Sequence, residues 1–74
     1  MKTYKNTGGD SGISGYEIFE HKIDVHFNTG DIYTYSYSSA GQIHIEKMKK
    51  LAEKGTGLNS YIMNNVRFNY ESKR

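Results

Sequence analysis

The side chains best suited to chemistry in this 74-residue chain are its tyrosines, histidines and lysines. Tyr33, Tyr35 and Tyr37 alternate with Thr34 and Ser36 in the stretch DIYTYSYSSAG. Rings two residues apart share one face of a strand. Turned to solvent, they would stack on bases. Turned inward, they would be the core of a small domain. Tyrosine serves both uses because it joins a large apolar ring to a polar tip.

Other stretches carry weaker chemistry. GGDSG at residues 8–12 matches the Gly-Asp-Ser-Gly around the nucleophile of chymotrypsin-like proteases. That serine needs a positioned His, an Asp and an oxyanion hole, and this chain is too short for the double barrel that supplies them. The string is read as a flexible turn of small residues. Asp24 and His26 lie i,i+2 on one strand face, where they could share a ligand or a proton. A metal site needs three or four converging ligands. No such cluster is visible among His21, His26, His44 and their neighbours, so no metal and no cofactor are expected. Lys47, Lys50 and Lys54 line one edge of a helix, and Arg67, Lys73 and Arg74 can come near it. Such a stripe attracts phosphates, although Glu46 and Glu53 also make it an ordinary solvated face. Lys54-Gly55-Thr56-Gly57 precedes a second helix, and Gly55, Thr56 and Gly57 could bind an anion there. Their spacing is not that of a P-loop. Asn59 just beyond has no helix-forming reason to be present.

Composition bounds the rest. The length fits one domain, with about 60% of the unfolded surface buried on folding. Without cysteine there is no disulfide and no thiolate ligand. The amino terminus is polar and no apolar run reaches membrane length, so a cytoplasmic protein is expected. The formal charge of +2 is well below that of a polybasic arm.

Three strand patterns position these groups: Ile13 to Phe19, Lys22 to Phe27 and Asp31 to Tyr37. Gly12 and Gly15 predict a bulge in the first. Short linkers predict an antiparallel meander. Asn28-Thr29-Gly30 reads as a three-residue loop with Gly30 in the left-handed position. Phe27 then faces Asp31, Val25 faces Tyr33 and Ile23 faces Tyr35. Directly opposed residues share a face, so Tyr33 and Tyr35 are expected inward, with Tyr37 the freest ring at the strand's end. Ile45, Met48, Leu51 and Ala52 then make a helical stripe, started by Ser38 or Ser39 and ended by Gly55. A second helix is expected from Gly57 to about Asn65, with Leu58, Tyr61 and Ile62 as its apolar face. Val66, Phe68 and Tyr70 alternate as an extended segment. The expected architecture is α+β: a three-stranded antiparallel meander followed by two helices packed on one face. Residues 1–11 read as a flexible lead-in, 12–70 as the domain and 71–74 as a charged tail that frays.

The ordered set Gly15-Tyr16, Ile23/Val25/Phe27, Gly30, Tyr33-x-Tyr35, Lys54-Gly55, Asn59 and Ile62 resembles the KTSC domain, named for the C-terminus of some lysyl-tRNA synthetases. The resemblance covers roughly Ile13 to Ile62 and implies RNA binding. Two places depart from the family: Ser36-Tyr37-Ser38-Ser39 replaces a Val-Pro, and Met63-Asn64-Asn65 replaces a basic turn.

Two functions of different class are therefore expected. The first is a non-enzymatic RNA-binding module, with Lys47, Lys50, Lys54 and Arg67 on phosphates and Tyr37 or Tyr61 stacked on a base. The alternative is a homo-oligomeric interaction module, paired through DIYTYSYSS as an edge strand, or an accessory or phage-type protein that sequesters a nucleotide-like ligand. No nucleophile–base pair supports an enzyme.

Overall fold

A computed structural model describes residues 1–7 and 12–74; the GGDSG turn, apart from Gly12, lies outside the described residues. The order is β1 (Lys2–Thr3), β2 (Ile13–Ile18), β3 (Lys22–Phe27), β4 (Ile32–Ser36), α1 (Tyr37–Ala40), α2 (Gln42–Lys54), α3 (Leu58–Tyr61) running into a π-helical turn (Ile62–Val66), and β5 (Ser72–Lys73). The fold is α+β, with one antiparallel sheet in the order β1-β2-β3-β4-β5.

The central hairpin follows from its alternation. Ile23 pairs with Tyr35 and Val25 with Tyr33, and the Phe27 amide donates to the Asp31 carbonyl at 2.9 Å. Gly30, at φ 96°, supplies the left-handed residue that sets this register. The register shifts between Ile13 and Gly15. A Cβ on Gly15 would lie 2.8 Å from the Lys2 carbonyl oxygen, so β1 can approach β2 only because that position is bare.

The meander is longer than the sequence pattern predicts, because both ends of the chain join it. Lys2 and Thr3 pair with Tyr16 and Gly15, and Tyr4 is a core residue. Lys2 and Thr3 are thus part of the sheet and Tyr4 of the core, so this segment is docked and not a flexible lead-in. At the other edge Tyr33 pairs with Lys73 and Thr34 with Ser72, while the Ile32 and Arg74 backbones exchange hydrogen bonds of 2.8 Å in both directions. The tail is therefore held, and β4 is not an edge strand. Residues 37–39 of DIYTYSYSS are helical, so this stretch does not offer the expected pairing edge. The outermost strands are two residues each, too short to template another chain effectively.

The helices cover one face. Ser36 caps α1 through reciprocal bonds with Ser39, ahead of the expected Ser38 or Ser39. Gly41, at φ 95°, separates α1 from α2. From α2, Ile45, Met48 and Ala52 are buried, and the helix packs on β3 and β4. Leu58, Ile62 and Val66 then recur every four residues and are all fully buried. Val66 thus belongs to the helical core, and Phe68 is 76% exposed instead of packing as an extended segment. The Asn65 side-chain amide donates to the Tyr61 carbonyl at 3.0 Å. That bond takes the acceptor an α-helical amide would use, and it accompanies the wider π turn.

Candidate functional site

The expected inward face of β4 divides. Tyr35 is 1% exposed, whereas Tyr33 on the same face is only half-buried and packs against the core's margin. Between the turn end of the β3–β4 hairpin and the α3–π segment lies a pocket of about 500 Å³. That volume is within the range of about 300–1,000 Å³ typical of small-molecule sites.

Its apolar wall is aromatic: Phe27, Tyr33, Tyr35, Phe68 and Tyr70. Tyr33 and Tyr35 stack with planes 16° apart and centroids 6.4 Å apart. Tyr70 stands edge-on to both, at 4.9 and 6.4 Å, and Phe27 meets Tyr33 edge-on at 5.2 Å. These edge-to-face contacts suit the ring quadrupoles and hold the wall in shape. Burial first, then the neighbouring Tyr33 and Tyr70, pushes the Tyr35 hydroxyl up to about 12, so it is a neutral donor at physiological pH.

The polar side comes from two places. Asn28, Thr29 and Asp31 belong to the hairpin turn, where the Thr29 hydroxyl donates to the Asp31 carboxylate at 3.1 Å. Asn59, Met63 and Arg67 line the opposite side, four residues apart and therefore on one helical face. Arg67 lies with its guanidinium 5.1 Å from the Phe68 ring centroid. It makes no ion pair among the described residues.

The structure thus brings Tyr33 and Tyr35 together with two of the candidate binding residues, Asn59 and Arg67. It does not add Lys47, Lys50 or Lys54, which are exposed on α2 and do not line the pocket. Tyr37 is not free: its hydroxyl donates to Glu46 at 2.5 Å, His21 packs edge-on against its ring at 5.0 Å, and Lys49 lies 5.7 Å from its centroid. The bond to Tyr37, then that to Lys49, holds the Glu46 carboxyl below its ordinary range. The Tyr61 hydroxyl is bonded to His44 Nδ1 at 2.7 Å. The expected anion loop is tied down at both ends: Gly55 is buried, although Thr56 is half-buried and Gly57 exposed; the Gly55 carbonyl accepts from the Thr7 amide at 2.8 Å, and the Leu58 amide donates to the Tyr4 hydroxyl at 3.3 Å. With that amide occupied and a helix of only four residues, Gly55, Thr56 and Gly57 form a packed connection.

The sequence reading did not place Tyr70, Met63 and Phe68 in the site. The hairpin register already placed Phe27 beside Tyr33 and Tyr35. No local signal shows that the segment after the π turn folds back over them. The opposite face holds another surprise. Glu17 pairs across the ladder with Asp24, and Glu17, Asp24 and His26 offer ligand atoms all within 4.8 Å of one another. The sequence showed only the Asp24–His26 half of this cluster, because the third member depends on strand pairing.

Comparisons with protein-family models, with curated proteins and with solved structures each found no match, so the reading of this site rests on its geometry.

Proposed function

We propose that the chain is a non-enzymatic binding module that takes a planar, negatively charged, nucleotide-like ligand in the aromatic pocket. The observation that carries this reading is the pocket itself: an aromatic wall with Arg67, which makes no ion pair among the described residues, on its lining. A flat ring system gains stacking area against Tyr33, Tyr70 or Phe68, worth about 1–3 kcal/mol per base in comparable sites. The Asn59 amide offers both a donor and an acceptor to a base edge. Arg67 can take a phosphate in bidentate fashion. The resemblance to the KTSC domain suits this reading, since its Tyr-x-Tyr positions, Tyr33 and Tyr35, form the back of the pocket. A cytoplasmic setting goes with the proposal.

Titration with nucleoside monophosphates, followed by amide and aromatic NMR shifts, tests it. Saturable shifts at Tyr33, Asn59, Arg67 and Tyr70 are expected. Arg67→Ala should weaken the nucleotide more than the matching nucleoside, and Tyr70→Ala should weaken both. Shifts confined to α2, or none at millimolar nucleotide, would refute the pocket as the site.

A second reading is RNA binding along α2. Lys47, Lys50 and Lys54 make no ion pair among the described residues, whereas Lys49 is tied to Glu46 at 2.9 Å. Affinity would then come from phosphates alone and fall steeply with salt, with neither Tyr37 nor Tyr61 stacking. Reversing all three charges should abolish retention of RNA in a low-salt filter assay. If the unmodified chain retains no RNA there, this second reading is wrong.

A further inference from the structure

The sheet face turned away from the pocket has its own constellation. Antiparallel pairing sets Glu17 directly opposite Asp24, and directly opposed residues share a face. His26 is two residues beyond Asp24 and lies on that face too. Two carboxylates and an imidazole thus converge, with donor atoms within 4.8 Å. These are the oxygen and nitrogen donors that divalent first-row transition metals take.

Proximity alone does not make a site, but one further feature points to a ligand and a second shows how a ligating group would be oriented. The first is His26 Nε2, which is buried and has no hydrogen-bond partner among the described residues. Buried polar atoms are normally paired, and a neutral imidazole nitrogen offers its lone pair to a metal. The second is the way Asp24 is held. It is 5% exposed; its Oδ1 accepts from the Thr34 hydroxyl at 2.6 Å and its Oδ2 from Arg74 Nη2 at 2.9 Å. Carboxylates that ligate metals are oriented by such outer bonds. Each carboxylate oxygen has two lone pairs, so Oδ1 can accept from Thr34 and still coordinate. Arg74 balances one of the two negative charges, which leaves the cluster one net negative charge to attract a cation.

We propose that Glu17, Asp24 and His26 bind one divalent first-row transition metal ion, with Thr34 and Arg74 positioning Asp24. Ligands of a tetrahedral ion at bond lengths of 2.0–2.2 Å lie about 3.4 Å apart. The cluster must therefore tighten, and Glu17, which is exposed, is the member able to swing inward.

The test is titration of the full chain with Zn²⁺, followed by imidazole NMR signals, and with Co²⁺, followed by visible absorption. One equivalent is expected to bind and to move the His26 ring signals. His26→Gln and Glu17→Gln should each weaken binding by at least about tenfold, since losing even an outer-shell partner costs that much. His21→Gln and His44→Gln should leave it unchanged. The exposed position of Glu17 protects the test from unfolding, and amide dispersion without metal checks His26→Gln. No saturable binding at millimolar metal would overturn the proposal. So would binding that survives both ligand substitutions, or shifts at His21 or His44 in place of His26.

Discussion

Replacing Arg74 by alanine tests whether the tail is truly built into the sheet. The Arg74 guanidinium bonds Asp24 Oδ2 at 2.9 Å and the Thr34 hydroxyl at 3.2 Å. Breaking a fully buried ion pair costs about 3–5 kcal/mol, because the remaining charge is stranded. Here the two partners differ: the Asp24 side chain is 7% exposed and that of Arg74 56%. Water can therefore approach from the arginine side and replace part of the lost solvation, and Asp24 keeps its bond to Thr34. Screening of the exposed half lowers the expected loss to about 1–2 kcal/mol. For a domain of this size that is a fall of about 4–16 °C in Tm. Urea denaturation of Arg74→Ala, Asp24→Asn and the double variant closes a cycle in which the coupling should be about 1 kcal/mol or more. Near-zero coupling, or Arg74→Ala within about 0.3 kcal/mol of the parent, would show that the Arg74 side chain does not help hold the tail against β4.

Tyr35 predicts the alkaline limb of stability. Its folded pKa of about 12 lies above the ordinary value of 10.0, so its contribution is full below pH 10 and is lost as pH rises toward 12; tyrosinate absorbance should rise together with loss of structure. Glu46 has the opposite sign. Its carboxyl is held low by Tyr37 and Lys49, so that contribution is present above the unfolded carboxylate pKa and vanishes as pH falls through the folded one. Tyr37→Phe should thus lower the denaturation midpoint at neutral pH and do so much less in acid; an equal loss at both would refute the Tyr37–Glu46 bond as the cause. Gly55 has φ 85°, and a Cβ there would sit 2.6 Å from Lys5 Cβ. Gly55→Ala should cost at least about 2 kcal/mol, combining left-handed strain with displacement of the N-terminal segment; a neutral result would mean that residues 1–7 are not docked.

Much of this architecture was legible in the sequence because it is written in local periodicity. Ile23, Val25 and Phe27 alternate, and Asn28-Thr29-Gly30 sets the loop length, so the faces of Tyr33 and Tyr35 follow from short-range chemistry. The α2 stripe and its stop at Gly55 follow in the same way. Ser36 as the cap of α1 was missed because Ser38 and Ser39 offer the same hydroxyl, and only the reciprocal bond with Ser39 selects between them.

The tertiary structure decided what depends on distant segments. Two-residue strands at either end carry too little pattern to be seen, and they exist because β2 and β4 present unpaired backbone to them. Tyr37 looked free in sequence and is held by Glu46 on a helix nine residues away. Asn59 and Arg67 became pocket residues only when the π turn set them across from Tyr33 and Tyr70, and Glu17 joined Asp24 and His26 only through strand register. Alternation along a strand assigns a residue to a face. Which residues from other elements meet it there is set by the packing of the whole chain, and that is where both candidate sites are made.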